Sequence, residues 1–336
     1  MKNKILIILL IPILILGITG CNKKEVKEKK SMNKETKEVE KNNYVSYNGK
    51  LKIKGVDVVN QYDEKILLKG ISTHGLHWFK ELYTKENISK LKEDFNINLF
   101  RIAMYTDEGG YISDHSIKSK VEEIVEYCKE LDLYVIIDWH ILHDNNPNIN
   151  KEEAKKFFEE ISNKYKDYDN VVFEICNEPN GNTTWDDVKN YANEVIPIIR
   201  KNSNNIIIVG TPNWSQYVDQ AADSPLKFDN ITYALHFYSG THKEELRNKI
   251  DYARGKGISI FVSEFGVSDA SGNGGVFLEE GKTWLDYLKK NNISFVNWSL
   301  ANKDESSALL NPNVKEINDS NLSASGKFIK EEYNKD

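Results

Sequence analysis

The chain has 336 residues and a formal charge of −6, with 40% of its residues hydrophobic and 11% aromatic. That length supports one substantial core, and it fits a single large α/β domain as easily as two small ones. No face-sized block of Lys and Arg occurs outside the N-terminal tail, which excludes a nucleic-acid or anionic-surface footprint and leaves a neutral or weakly polar partner.

Residues 1–20, MKNKILIILLIPILILGITG, combine a short basic start, an apolar run from Ile5 to Leu16 and small residues at Gly17, Thr19 and Gly20. This pattern predicts a secretory signal. The run is shorter than the roughly 20 residues a membrane span needs, and Pro12 interrupts it. The ending Ile18-Thr19-Gly20-Cys21 resembles a bacterial lipoprotein lipobox. That resemblance implies a diacylated Cys21 as the mature N-terminus, anchored on the outer face of the cell membrane; the alternative is an ordinary signal peptide with a chance cysteine. Residues 22–43 mix Lys and Glu with almost nothing apolar, as a solvated tether would. The expected organisation is therefore a signal peptide over 1–20, a lipidated Cys and tether over 21–43, and one catalytic domain over 44–336. Cys128 and Cys176 remain, and they imply no disulfide framework.

From residue 51, LKIKGVDVVNQYDEKILLKG alternates apolar and polar residues about a turn at Asn60 to Glu64, which predicts a β-hairpin covering the floor of the fold. Eight short β-branched runs follow: KGISTH from 69, NLFRIAMY from 98, YVIIDWH from 134, VVFEICNE from 171, NIIIVGT from 205, ITYALHFY from 231, ISIFVSEFG from 258 and ISFVNWSL from 293. Segments of helical period, such as KSKVEEIVEYCKEL and GKTWLDYLKKN, separate them. Parallel crossovers need about a dozen residues or more. Eight such units predict a (β/α)8 TIM barrel. An open doubly wound sheet is the alternative, without a Gly-rich phosphate turn after the first run to support it.

A barrel carries its chemistry at the C-terminal ends of its strands. The runs end in His74, Arg101 with Tyr105, Asp138-Trp139-His140, Asn177-Glu178, Gly210-Thr211, His236 with Tyr238, Glu264, and Trp298. Packing alone gains nothing from charges converging there. Glu178 and Glu264 can face each other across the mouth, and two facing carboxylates are the apparatus of glycoside hydrolysis: one protonates the leaving oxygen while the other attacks or activates water. Singly, each reads as a surface or salt-bridged Glu; with Asn177, Arg101, two His, a Tyr and a Trp beside them, they read as a site.

Arg101 in NLFRIAMY, WH at 139–140, NEP at 177–179, HFY at 236–238, SEFG at 263–266 and NWSL at 297–300 together resemble family 5 of the glycoside hydrolases, in clan A. THGLHWF, TPNWSQ and NKDESSALL, from 73, 211 and 302, are similar to its bacterial endo-1,4-β-glucanase (cellulase) branch, and the resemblance covers about residues 50–335. It implies a retaining enzyme in which Glu178 is the acid/base and Glu264 the nucleophile. Asn177 then holds the sugar 2-hydroxyl, His140 and His236 fix hydroxyls and the glutamates, and Trp298 forms the stacking floor. Arg101 and Tyr238 are expected to keep Glu264 ionised while Glu178, a carboxyl near another carboxylate, is raised. His74, Trp78, Tyr105, Trp214, Lys303 and Glu305 match glucan subsites, whereas His77 departs from the polar residue, such as glutamine, expected there. His115, His143 and His242 read as solvated loop residues.

No cofactor and no metal are implied: no tight His-x-His occurs on a strand, and Arg101 opposes a divalent ion. The expected partner is a β-glucan, with mannan, xyloglucan, lichenan or xylan as alternatives for the same machinery. A surface glycan-binding lipoprotein is the non-enzymatic alternative, and a monomer is expected. No carbohydrate-binding module is legible, which points to accessible or soluble glucan. Within VVFEICNEPNG, Glu174 shares strand parity with Glu178 but lies about 13 Å lower at roughly 3.3 Å per residue. It reads as a buried structural carboxylate that needs an internal donor.

Overall fold

The computed structural model describes residues 44–335. The expected signal peptide, Cys21 and the expected tether lie outside the described residues. Each of the eight β-branched runs forms a strand of one parallel sheet, and the sheet closes on itself. With the hairpin strands numbered first, β1 is Lys52–Lys54 and β2 is Asp57–Val59. The barrel strands are β3 Lys69–Thr73, β4 Leu99–Tyr105, β5 Tyr134–His140, β6 Val171–Glu174, β7 Ile207–Val209, β8 Ile231–Tyr238, β9 Ile260–Gly266 and β10 Phe295–Leu300. Each pairs with its neighbour in sequence, and β10 returns to β3. Closure rules out the open doubly wound sheet.

Polar caps start several of the surrounding helices. Thr84 accepts from the Asn87 amide at the start of Lys85–Phe95, Thr184 and Asp187 form a capping box on Trp185–Arg200, and Ser323 caps Ala324–Tyr333. In Trp185–Arg200 the buried residues Trp185, Val188, Ala192, Val195, Ile196 and Ile199 recur at three- and four-residue spacing, which is the stripe a helix lays against a sheet. Among the described residues, no helix is long and apolar enough to cross a membrane.

The hairpin forms, with its tight turn in a different place from the one expected. β1 and β2 pair through Lys54 and Asp57 around Gly55, whose φ of 63° suits a two-residue turn. Asn60 to Glu64 instead makes a second reversal, closed by the Asn60 amide on the Glu64 carbonyl and a bridge between Val59 and Lys65. Gly55 is the stronger punctuator because it takes a positive φ without strain. Leu51 and Val58 from this segment pack with Leu68, Leu99, Tyr134, Ile136, Val172, Ile208, Ala234, Phe261 and Val296. The barrel floor is thus an apolar plug capped by the hairpin.

Two irregularities shape the mouth. β6 is regular only as far as Glu174, four residues short of Glu178. Along β9 the register against β8 slips between Ala234 and His236, where two steps on β8 oppose three on β9, and the pairing with β10 slips at the same level. A bulge of this kind re-aims one side chain. Here it brings the consecutive residues Ser263 and Glu264 both to the interior, where each bonds groups of the site.

Candidate active site

The segment after β6 is tied down at every step. The Tyr191 hydroxyl donates to the Ile175 carbonyl at 2.7 Å, the Asn177 amide to the Trp139 carbonyl at 3.2 Å, and the Ser215 hydroxyl to the Asn177 carbonyl at 2.7 Å. Asn180 holds the Glu178 carbonyl at 2.8 Å. A Cβ on Gly210 would lie 2.0 Å from the Cys176 carbonyl oxygen, so only glycine lets the end of β7 pass this close. On the facing side, a Cβ on Gly266 would fall 2.4 Å from the Tyr238 ring, and its absence leaves room for Tyr238 to reach Glu264.

Arg101 is the hub beneath the mouth. Its Nε donates to Glu174 at 2.7 Å, Nη1 to Glu264 at 3.1 Å and Ser72 at 3.3 Å, and Nη2 to Asn177 at 2.7 Å, with Asp138 at 3.0 Å from Nη2. Four of the five guanidinium hydrogens therefore have hydrogen-bond acceptors in a fully buried position, and Asp138 adds an ion-pair contact. Burial opposes the Arg101 charge, but Asp138, Glu174 and Glu264 outweigh it and hold the pKa above its usual value. Burial likewise opposes ionisation of Glu174, and Arg101 and His236 reverse the balance, lowering its pKa. Asp138 goes the other way, raised well above the usual carboxylate range by burial against the pull of Arg101.

Glu178 and Glu264 approach from opposite sides of the mouth, one ligand atom from each lying within 4.8 Å of the other and of His236. His236 Nδ1 is 2.9 Å from Glu178, and the Tyr238 hydroxyl donates to Glu264 at 2.9 Å. Burial works against a charged His236, yet Glu174, Glu178 and Glu264 raise its pKa to about 9, so the ring is a cation at neutral pH. Both groups expected to favour ionised Glu264, Arg101 and Tyr238, contact it. Its burial, and then the Glu178 charge, raise its pKa, and His236, Arg101 and the Tyr238 hydroxyl offset this only in part. The positive charges of Arg101 and His236 oppose a divalent cation between these carboxylates.

His140 is neutral, since burial and the nearby charges of Arg101 and His236 push its pKa well below the ordinary value. Its Nδ1 lies 2.6 Å from Asp138, and its Nε2 faces the Asn177 amide nitrogen at 3.3 Å. Asn177 is almost fully buried and engaged with Arg101, His140 and the Ile141 carbonyl. Arg101 and Asn177 thus lie under the floor of the mouth and position what is above them.

Glu174 is fully buried, as expected, and finds its internal donors in Arg101 and Ser263. Glu174 and Glu178 reach opposite nitrogens of one imidazole, at 3.8 Å from His236 Nε2 and 2.9 Å from Nδ1.

Above these groups opens a cleft of about 660 Å³. It gathers His74, Trp78, Tyr105, His140, Glu178, Trp214, His236, Tyr238, Glu264, Trp298, Lys303 and Glu305, which covers every subsite position expected from the sequence. Trp298 is stacked on His140 at 5.3 Å, and His74 lies parallel to Tyr105. Burial lowers His74 to a pKa of about 3, and its Nδ1 accepts the Gly75 amide at 2.7 Å, so the ring is neutral with its proton on Nε2. Trp78 and Trp214 stand 39% and 44% exposed, flat apolar faces open to a ligand. Trp214 sits in a turn where Asn213, Trp214 and Ser215 all have φ between 53° and 57°. Three consecutive non-glycine residues in this region are strained, as at many functional sites.

Two of the three loop histidines are not merely solvated. His143 and Glu108 pair at 3.1 Å on the cleft wall, and His242 lines it while accepting the Tyr238 amide. His115 is exposed and lies beside Glu153. The sequence reading named neither Glu108 nor Ser263 as a site residue. Asp138, two residues before His140 on the same strand face, could have been found by parity alone.

Residues 59–304 match the cellulase model of glycosyl hydrolase family 5. An endoglucanase of Clostridium saccharobutylicum is 51% identical over 291 residues, covering 85% of this chain and 65% of that protein. Endoglucanase A of Evansella cellulosilytica is 54% identical over 274 residues, covering 80% of this chain and 56% of that protein. The chain therefore spans less than two thirds of the length of these relatives. Among solved structures, the cellulase Cel5C_n superposes with a TM-score of 0.84 at 46% identity, over 86% of this chain and 93% of that one. The catalytic domain of Thermobifida fusca endoglucanase Cel5A, in complex with cellotetraose, superposes with a TM-score of 0.84 at 30% identity, over 87% of this chain and 99% of that one.

Proposed function

The chain belongs to glycosyl hydrolase family 5, and from that premise we propose that it hydrolyses internal β-1,4-glucosidic bonds of cellulose or a related β-glucan, with retention at the anomeric carbon. The observation that carries this reading is the Glu178 and Glu264 pair, with one oxygen of each within 4.8 Å across an aromatic-lined cleft. Such an approach suits a double displacement, in which the carboxyls stand about 5 to 5.5 Å apart, better than the roughly 6.5 to 9.5 Å of an inverting site.

In the first step Glu264 attacks the anomeric carbon as the glycosidic bond breaks, and Glu178 passes its proton to the departing oxygen. In the second, Glu178 takes a proton from water as the water oxygen displaces Glu264 from the sugar. Arg101 and the Tyr238 hydroxyl, each within 3.1 Å of Glu264, disperse its charge before attack and after release. Trp78, Trp214 and Trp298 offer flat faces to pyranose rings, and the polar groups between them, His74 and the Lys303 and Glu305 pair, suit ring hydroxyls.

Reducing-sugar release from carboxymethylcellulose, barley glucan, lichenan, glucomannan, mannan and xylan tests the substrate class. Release from carboxymethylcellulose, barley glucan and lichenan, which all contain β-1,4-glucosidic bonds, with none from mannan and xylan is the expected result; release from mannan or xylan alone overturns it. We also propose that Cys21 carries a lipid anchor, supported by the lipobox-like sequence that precedes it. Cys21→Ser should then move the protein from the membrane fraction to the medium, and a wild type already free in the medium refutes the anchor.

A further inference from the structure

Ser263 lies between Glu174 and His236, and its geometry settles where protons sit. Its oxygen is 2.6 Å from Glu174 Oε1 and 2.9 Å from His236 Nε2. Glu174 accepts Arg101 Nε on its other oxygen and is held ionised, so it has no hydrogen to donate. The single hydroxyl hydrogen of Ser263 must go to Glu174, and the Ser263 lone pair must then accept from Nε2. His236 Nε2 is therefore protonated, in whichever charge state the ring is found.

We infer that Glu174 and Ser263 are positioning residues that act on the acid/base through His236, fixing one proton on Nε2 so that Nδ1, the nitrogen facing Glu178, is the one that gains and loses a proton. At 2.9 Å the Nδ1 and Glu178 contact serves both states: Nδ1–H donates to the carboxylate, or Nδ1 accepts from the carboxyl. One proton can pass between Glu178 and His236 while Ser263 and Glu174 hold the ring still. No other bond changes in that transfer.

The charges around His236 decide how strongly that proton is held. Glu174 and Glu178 face it from β6 and the segment after it, and Glu264 from β9. Asp138 and His140 act on it from β5, Tyr238 lies two residues on along its own strand, and Arg101 stands behind Glu174. Removing the Glu174 charge leaves the ring less able to stay protonated. The kinetic consequence rests on the proposed hydrolase reading; the tautomer does not.

Two variants test the inference. In Glu174→Gln the basic limb of the kcat/KM profile should move to lower pH by about one unit. Because Glu174→Gln also removes a counter-charge from Arg101 and can fail to fold, Ser263→Ala, which changes no charge, is the second variant. It should shift the same limb in the same direction by less, and Ser263→Thr should restore it. Activity lost equally at every pH, with the limb in place, would mean a structural role only and overturns the inference. Long-range 1H–15N spectra of the imidazoles, with His236 assigned from a His236→Asn variant, read the tautomer without any substrate. Nε2 should stay protonated as pH is raised through the His236 pKa of about 9 while Nδ1 loses its proton; a neutral ring protonated on Nδ1 overturns the inference. A wild type that releases sugar from no glucan counts against the hydrolase reading and leaves the spectral test standing.

Discussion

The floor and the mouth of the barrel come from the same strands, one pleat apart, and they are chemically opposite. Leu99, Ile136, Val172, Ala234 and Phe261 belong to the apolar plug; two residues further along each strand stand Arg101, Asp138, Glu174, His236 and Ser263. The lower layer stabilises the fold by removing apolar surface from water, at about 25 cal/mol per Å². The upper layer is costly to desolvate and persists because its charges pair, Arg101 meeting three carboxylates. Stability and chemistry are thus stacked along one axis, and substitutions in the two layers should have separable consequences.

The largest separation is expected at the catalytic pair. Glu178→Gln and Glu264→Gln should each lower turnover by at least about a thousandfold, with melting temperatures close to wild type. Near-normal turnover in either variant would remove that residue from its role. Arg101 joins the two layers, and Arg101→Met should be the variant that damages both properties. It removes the one guanidinium shared by Asp138, Glu174 and Glu264, a loss of about 3 to 5 kcal/mol in urea unfolding, together with loss of activity.

At the floor, Phe261→Ala should cost about 3 to 5 kcal/mol yet leave kcat per folded molecule unchanged; a fall in kcat would mean that floor packing tunes the mouth. The smallest effect belongs to the cleft rim. Trp214→Ala should raise KM by a factor of a few, corresponding to about 1 kcal/mol of ring contact, with kcat and stability near wild type.

Much of this division was legible in the sequence because period 2 and strand order carry it. Eight β-branched runs with helical segments between them specify the barrel, and their polar ends specify the mouth. What escaped depends on departures from period. A one-residue bulge in β9 leaves no mark in ISIFVSEFG, so Ser263 and Glu264 would be assigned to opposite faces by alternation, although both bond inside. The early end of β6 is equally silent in VVFEICNEPNG, as is the meeting of Glu174 and Glu178 at one imidazole. The hairpin turn was misplaced because Asn60 to Glu64 carries more turn-forming side chains than Gly55-Val56, while the backbone rewarded the glycine. Glu108 and His143 come from different loops, and only the folded barrel brings them together. Electrostatic balance was the least legible of all. Arg101 and Tyr238 do contact Glu264, but how far burial offsets them follows from depth, which spacing does not encode.

The most direct test of the two-carboxylate account is the anomeric configuration of the first product. Proton NMR of a short cello-oligosaccharide during early hydrolysis should show the new reducing end appearing as the β anomer, with the α anomer growing in only at the rate of mutarotation. If the α anomer appears first, Glu264 does not form a glycosyl intermediate and the double displacement is wrong.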